Sequence, residues 1–304
     1  MNAREWLAQR TSGPPDIALI GVPVSRLSIS PSQAWSTPPA LRTALQRFPT
    51  WNAEHGVDLA TLAVHDRGDV DGDRDDADTA AVRARIESAA RASLDDAGLT
   101  LLVGGDNSLT VPAMRGSMAA RPHETWGLLT LDAHHDCRPL DDGPRNGTPV
   151  RELIESGLPA SRVVQVGIHP LGNHEQHARW AMQHGITVFS VRELRALGTA
   201  PVIERALRHL RDQRATAIYV DIDIDCVDRA FAPACPASLP GGLLPTELLQ
   251  AAHLIARDPR VAVVDFTEVD ANADVAAITV RLLAATLLDV CAGFARRSGR
   301  EVTG

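Results

Sequence analysis

Lysine is missing from this 304-residue chain, so all 30 basic residues are arginine. The absence is a compositional bias without functional meaning. Against 38 acidic residues those arginines leave a formal net charge of −8, which argues against the basic face that nucleic acid or an anionic membrane requires. Cysteine is scarce: Cys137, Cys226, Cys235 and Cys291 show no CxxC spacing. That excludes a disulfide framework and a thiolate zinc site, and fits a reduced, cytoplasmic protein. The first fifteen residues lack the apolar core of a secretory signal, and no stretch is expected to match a bilayer in length. The acidic run from Asp69 to Asp76 lacks the calcium-loop features, with Arg74 where the turn needs glycine and Ala80 where glutamate belongs, so it reads as a solvated loop. No repeat, linker or low-complexity tract divides the chain, and one α/β domain over residues 1–304 is expected.

What is present centres on Asp132-Ala133-His134-His135-Asp136, which follows the apolar run Trp126–Leu131. Nearly continuous hydrophobicity marks a buried parallel strand, so the polar residues stand at its end. On extended backbone Asp132, His134 and Asp136 project to one side. Carboxylates so close repel unless a cation intervenes, and a carboxylate and imidazole set suits a manganese-like divalent ion better than calcium. A second apolar run, Ala217–Val220, leads into Asp221, Asp223 and Asp225. The same alternation aligns those three carboxylates, so two strand ends point to one shared two-metal centre.

Other signals extend the pattern. Strands are expected at Ile17–Val22, Leu62–Val64, Leu99–Val103, Arg162–Ile168, Ile186–Phe189 and Val261–Phe266. Helices are expected from Ala40 to Arg47 with Thr37 as cap, and near residues 79–97, 174–184, 201–211 and 245–256 and from Ala276. Such alternation implies a three-layer αβα fold around a mostly parallel sheet of about eight strands. Ligands in such sheets sit beyond the strands' carboxyl ends. Gly104–Ser108, Asp132–Asp136, Asp221–Asp228 and Thr267–Asp270 all occupy such ends, and the paired Gly104-Gly105 suits close backbone approach to a ligand. His174 and His177, an HxxH pair without a third ligand, read as an exposed helical face.

Together these motifs resemble the ureohydrolase family of arginase, agmatinase and formimidoylglutamase. Asp132-Ala133-His134-His135-Asp136 matches the family's Asp-Ala-His-x-Asp. Asp223-Ile224-Asp225-Cys226-Val227-Asp228 matches its Asp-x-Asp-x-x-Asp, with Arg229 where proline is usual. Ala232-Pro233 and Gly241-Gly242-Leu243 follow at the family's spacing. The resemblance implies two Mn2+ ions held by Asp132, His134, Asp136, Asp223 and Asp225, with Asp132 and Asp223 bridging. It assigns Glu268 to the substrate's amidinium, and Asp228 to orienting its loop. Asp221 stands where the family more often has a small residue. Gly104-Gly105-Asp106-Asn107-Ser108 departs from Gly-Gly-Asp-His-Ser, so Asn107 offers an amide in place of a ligating imidazole. Two roles stay open for His135: ligand in compensation, or hydrogen-bond partner beneath the site.

Cys137-Arg138-Pro139 and Arg145-Asn146-Gly147-Thr148-Pro149 resemble formimidoylglutamase, with Asn146 where arginases carry a histidine. Arg138, Arg145 and Asn146 then become candidate substrate contacts, because N-formimidoyl-L-glutamate carries two carboxylates. The expected reaction is metal-assisted hydrolysis of that amidine to glutamate and formamide, a step of histidine degradation, with Asp136 moving the proton and the enzyme a homo-oligomer. Two rivals are a guanidino-compound hydrolase that releases urea, and a metal-depleted pseudoenzyme suggested by Asn107.

Overall fold

The computed structural model describes residues 1–9, 13–74 and 76–297. Its strands are β1 (Ile17–Val22), a short antiparallel pair β2 (Trp51–Asn52) and β3 (Val57–Asp58), β4 (Val64–Asp69), β5 (Leu99–Gly104), β6 (Trp126–Leu131), β7 (Val163–Ile168), β8 (Thr187–Ser190), β9 (Ala217–Asp223) and β10 (Val261–Thr267). Its helices are α1 (Ala3–Leu7), α2 (Thr37–Ala44), α3 (Thr79–Leu94), α4 (Thr110–Ala120), α5 (Pro149–Glu155), α6 (Glu175–His184), α7 (Val191–Leu197), α8 (Thr199–Asp212), α9 (Pro245–Ala256) and α10 (Ile278–Ala295). Eight strands form one sheet in the order β4-β1-β5-β10-β9-β6-β7-β8, and each neighbouring pair runs parallel.

Side chains alternate along each strand, so every central strand feeds two cores. Ile218, Val220 and Ile222 of β9 join Leu129 and Leu131 of β6 under α1, α2 and α7 to α10. Ala217 and Tyr219 of β9 join Trp126 and Leu128 of β6 under α3 to α6. Each fully buried aliphatic side chain contributes roughly 1.5–3 kcal/mol, and both layers are lined with them. This is the expected αβα sandwich with eight strands.

The topology places the site. The chain lays down β1, β4 and β5 on one side, crosses to β6, β7 and β8, then sets β9 beside β6 and inserts β10 between β9 and β5. Consequently the four adjacent middle strands β5, β10, β9 and β6 are the four that end in polar motifs. Parallel pairing brings all four ends to the same edge of the sheet.

Several elements differ from expectation. The second strand is Val64–Asp69 rather than Leu62–Val64: it is an edge strand, whose polar sequence hides it from a hydrophobicity reading. Thr37 begins α2 instead of capping it, Ser36 holds the cap position, and the Thr37 hydroxyl donates to the Val269 carbonyl. Asp73, inside the supposedly solvated acidic run, is buried and accepts from the backbone of Ser25 (2.9 Å) and Arg26 (2.7 Å), which fastens that loop beneath β1. Helices α1, α4, α5 and α7 and the β2–β3 pair lie outside the segments expected from the sequence. Finally, α10 is 18 residues long and apolar enough to cross a membrane by length and composition, although 72% of it is buried inside the protein as a core helix.

Candidate metal centre

Beyond β6 the chain leaves strand geometry and bends at Ala133 and His134. The Asp132 Oδ1 accepts from the His134 backbone N–H at 2.6 Å, which ties the turn. The His134 Nδ1 faces Asp225 Oδ2 at 2.9 Å and Asp132 Oδ1 at 3.5 Å. Asp136 then adopts a left-handed backbone, φ 50°, a conformation that disfavours a non-glycine residue by about 1–2 kcal/mol. Asp225 arrives by a different route from the one alternation implies. Strand β9 stops at Asp223, whose Oδ1 accepts from the Asp225 N–H at 2.8 Å. A single 3₁₀ turn, Ile224–Cys226, swings Asp225 toward His134. Ligand atoms of Asp132, His134 and Asp225 thus lie within 4.8 Å of one another. Asp136 and Asp223 line the same small cavity, of about 100 Å³.

Glu268 also sits in the left-handed region, φ 66°, held there because its N–H donates to the Gly105 carbonyl (2.9 Å). Its Oε1 accepts from the Asn107 backbone N–H at 2.7 Å and from Asn146 Nδ2 at 3.0 Å. Asn146 in turn accepts from the Ile29 N–H (2.9 Å), so the serine- and proline-rich loop after β1 forms one wall. Gly104 and Gly105 permit close approach of the chain rather than of a ligand: an added Cβ would lie 1.9 Å from Leu109 Cδ2 and 1.7 Å from the Val24 carbonyl, respectively. Arg138 lines the inner cavity and an outer one of about 700 Å³, whereas the exposed Arg145 lines only the outer.

The other two candidate ligands, Asn107 and His135, are engaged in hydrogen bonds around the cluster. Asn107 turns Nδ2 toward Asp136 Oδ2 (2.7 Å) and Asp221 Oδ2 (3.4 Å), while its carbonyl oxygen accepts from Thr110 Oγ1 (2.7 Å). Among carboxylates an amide N–H is the favourable face to present, and Asn107 presents it to Asp136 and Asp221. His135 points its Nδ1 at Gln165 Oε1 (2.7 Å), and its backbone N–H donates to Asn173 Oδ1 (2.8 Å). The buried His135 ring thus faces Gln165, which is the geometry of the second of its two open roles, a hydrogen-bond partner beneath the site. Asp221 likewise belongs to a lower layer. It neighbours Asp265 in register, and Asp265 Oδ2 accepts from Tyr219 (2.6 Å) and Thr110 (2.8 Å). Thr110, Tyr219 and Asp265 escape a reading of single segments because they converge only across strands. Asp228 accepts from the N–H groups of Ala230 (2.9 Å) and Gly241 (2.6 Å), tying its loop as anticipated.

Electrostatically the cluster is short of positive charge. Among the described residues no arginine pairs with Asp132, Asp136, Asp223, Asp225 or Glu268, and His134 is the one cationic partner. Burial, then Asp225, pushes Asp132 up to about 6. Burial, then Asp132, pushes Asp136 well above the usual range, and burial with Asp225 does so for Asp223. Burial and Asp106 raise Glu268 to about 8. Asp225 is the exception: burial would raise it, but His134 outweighs burial and holds it low, while Asp225 lifts His134 to about 12. Asp132 Oδ2 is buried without a hydrogen-bond partner. A donor set of carboxylates and one imidazole with an unused inward oxygen fits divalent ions of the manganese type.

Comparison with known proteins agrees with this geometry. Residues 15–293 match the model of the arginase family. A formimidoylglutamase of Halalkalibacterium halodurans is 35% identical over 95% of this chain and 89% of its own length. The crystal structure of formimidoylglutamase from Bacillus subtilis superposes with a TM-score of 0.91 at 31% identity, covering 98% of this chain and 93% of that one. A Trypanosoma cruzi formiminoglutamase solved with Mn2+2 shares the fold, with a TM-score of 0.88 at 23% identity over 98% of this chain and 99% of that one. With the family's pattern matched along nearly the whole chain and its acidic residues gathered at one edge of the sheet, this protein belongs to the arginase family.

Proposed function

We propose that the protein is a metal-dependent hydrolase that converts N-formimidoyl-L-glutamate and water to L-glutamate and formamide. The observation that carries this reading is the polarity of the cavity: an acidic floor of Asp136, Asp223, Asp225 and Glu268 beneath a mouth lined by Arg138. That polarity suits a substrate with a cationic amidine head and an anionic tail, and it disfavours one with a cationic tail such as agmatine. The formimidoylglutamase relatives supply the identity of head and tail.

Asp132, His134, Asp136, Asp223 and Asp225 would hold two Mn2+ ions, with Asn107 and His135 as supports. Ions bound there lower the pKa of a water molecule toward neutrality and make it a nucleophile. Glu268, fixed by Asn107 and Asn146, binds the amidinium N–H groups and orients the amidine carbon. Asp136, steadied by the Asn107 amide, accepts the nucleophile's proton and passes it to the departing nitrogen. Arg138 grips a substrate carboxylate, with Arg145 further out. The protein would act in the cytoplasm, as a homo-oligomer, in histidine degradation.

The same polarity favours a second reading, a guanidino acid hydrolase releasing urea. After manganese loading, formamide and urea should be assayed on formimidoylglutamate, 4-guanidinobutyrate, arginine and agmatine. Formamide from the first alone is the expected result. Urea from a guanidino acid without formamide from formimidoylglutamate would overturn the proposal, and no hydrolysis with no bound metal would favour the pseudoenzyme.

A further inference from the structure

His177 is not the exposed member of an HxxH pair that its sequence suggests. It lies on the first turn of α6 with only 8% of its surface accessible, and the ring of His174 meets it edge-on at 5.7 Å. Despite that burial it reaches both cavities. Three residues line the inner and the outer cavity alike, Ile29, Arg138 and His177, so these form the neck through which a substrate tail must pass.

We infer that His177 is a specificity-determining residue, whose imidazole holds a second substrate carboxylate beside the one gripped by Arg138. The inference rests on the proposed dicarboxylate substrate and extends it to a residue outside the metal motifs. A guanidinium fork binds one carboxylate bidentately and is then largely used. A second carboxylate at the neck has Ile29, which is apolar, and His177, which carries an N–H donor in either protonation state. Farther out, Asp141 and Asp142 line the outer cavity beside Arg145 and offset its charge, so the neck is the more favourable place for the second carboxylate. Burial, followed by the charge of Arg138, lowers the His177 pKa and favours the neutral ring, which still offers one N–H donor.

The test compares two substrates in wild type, His177→Ala and His177→Asn, all loaded with manganese and checked for metal content. One substrate is N-formimidoyl-L-glutamate, and the other is N-formimidoyl-4-aminobutyrate, which lacks the α-carboxylate. A hydrogen bond to a charged group corresponds to roughly a tenfold change in affinity or more. Accordingly His177→Ala should raise KM for the dicarboxylate roughly tenfold, leave kcat and the KM for the monocarboxylate nearly unchanged, and His177→Asn should recover part of the difference. A merely structural histidine would weaken both substrates together. An unchanged preference between them in metal-loaded His177→Ala overturns the inference, as does an Asn variant no better than Ala. Failure of the broader reading has a different signature: wild type itself releases no formamide from either compound.

Discussion

Asp66 and Asp69 on the edge strand β4 belong to the same sheet as Asp132, Asp223 and Asp225 at the ends of β6 and β9, yet the two groups are neutralised differently. Arg42 grips Asp66 through two parallel hydrogen bonds, at 2.7 and 2.8 Å, and reaches Asp69 as well. All three side chains are partly exposed. The central group is buried, and among the described residues no arginine touches it, although the chain has 30. Where the sheet meets solvent, the protein supplies its own countercharge. Where the middle strands end, His134 is the one cationic partner among the described residues, and the remaining carboxylates require either protons or an external cation.

Breaking the central group should therefore have the largest effect. Asp132→Ala or Asp223→Ala should abolish metal binding and activity, and retention of two ions per chain in either variant would contradict their assignment. Arg138 comes next, since it is the cation at the cavity mouth and has no ion-pair partner among the described residues. Its replacement by alanine should raise KM roughly 10–100-fold at unchanged metal content, and an unaltered KM would remove it from the substrate site.

The third expectation concerns pH. Folded values near 6 for Asp132 and near 8 for Glu268 lie above those of the unfolded chain, roughly 4. Such groups favour the fold fully below roughly pH 4, and that contribution is lost as pH rises through 6 and then 8. His134, raised to about 12, acts in the same direction above its ordinary range. Metal-free protein should thus melt at progressively lower temperature between roughly pH 4 and 8, and Mn2+ should restore stability most at the alkaline end. A metal-free melting temperature that climbs over this range would refute the electrostatic account. The smallest effect belongs to the edge: Arg42→Ala should destabilise by about 1 kcal/mol, within the range for partly exposed ion pairs, with metal affinity unaltered. A change in metal binding would show that the two regions are coupled.

The contrast also marks what could be read from the chain. Buried strands betray themselves by unbroken apolar runs, and the acids that end them stand out because nothing structural favours them there. Edge strand β4 does not, since Val64-His65-Asp66-Arg67-Gly68-Asp69 alternates toward solvent. Period-2 reasoning groups Asp132 with His134 and leaves the role of His135 open, but it cannot locate the stop at Asp223 that delivers Asp225 through a 3₁₀ turn. The orientation of Asn107 was illegible for another reason: Thr110, Asp136 and Asp221 decide it, and they come from three separate segments. His177 was misread because the helical face opposite Arg138 becomes a cavity wall only after the loop following β6 has folded over it.

The position of β10 governs the order in which the molecule can be assembled. Before residues 261–267 are synthesised, β5 can pair only with β1 and β9 only with β6, and the chain holds two partial sheets with unsealed inner edges. Contacts between segments so distant in sequence form slowly, and open strand edges invite association between chains. The proposed metal ligands stand at the ends of β6 and β9, which pair without β10, whereas Glu268 arrives only with the last strand made, so insertion of β10 seals the sheet and adds the amidinium contact to an acidic cluster already framed. Pulse-labelled hydrogen exchange during refolding should find the amides that join β6 to β9 protected before those that link β10 to β5 and β9, with manganese able to act before that step. Protection of all four strands together would merge the two events.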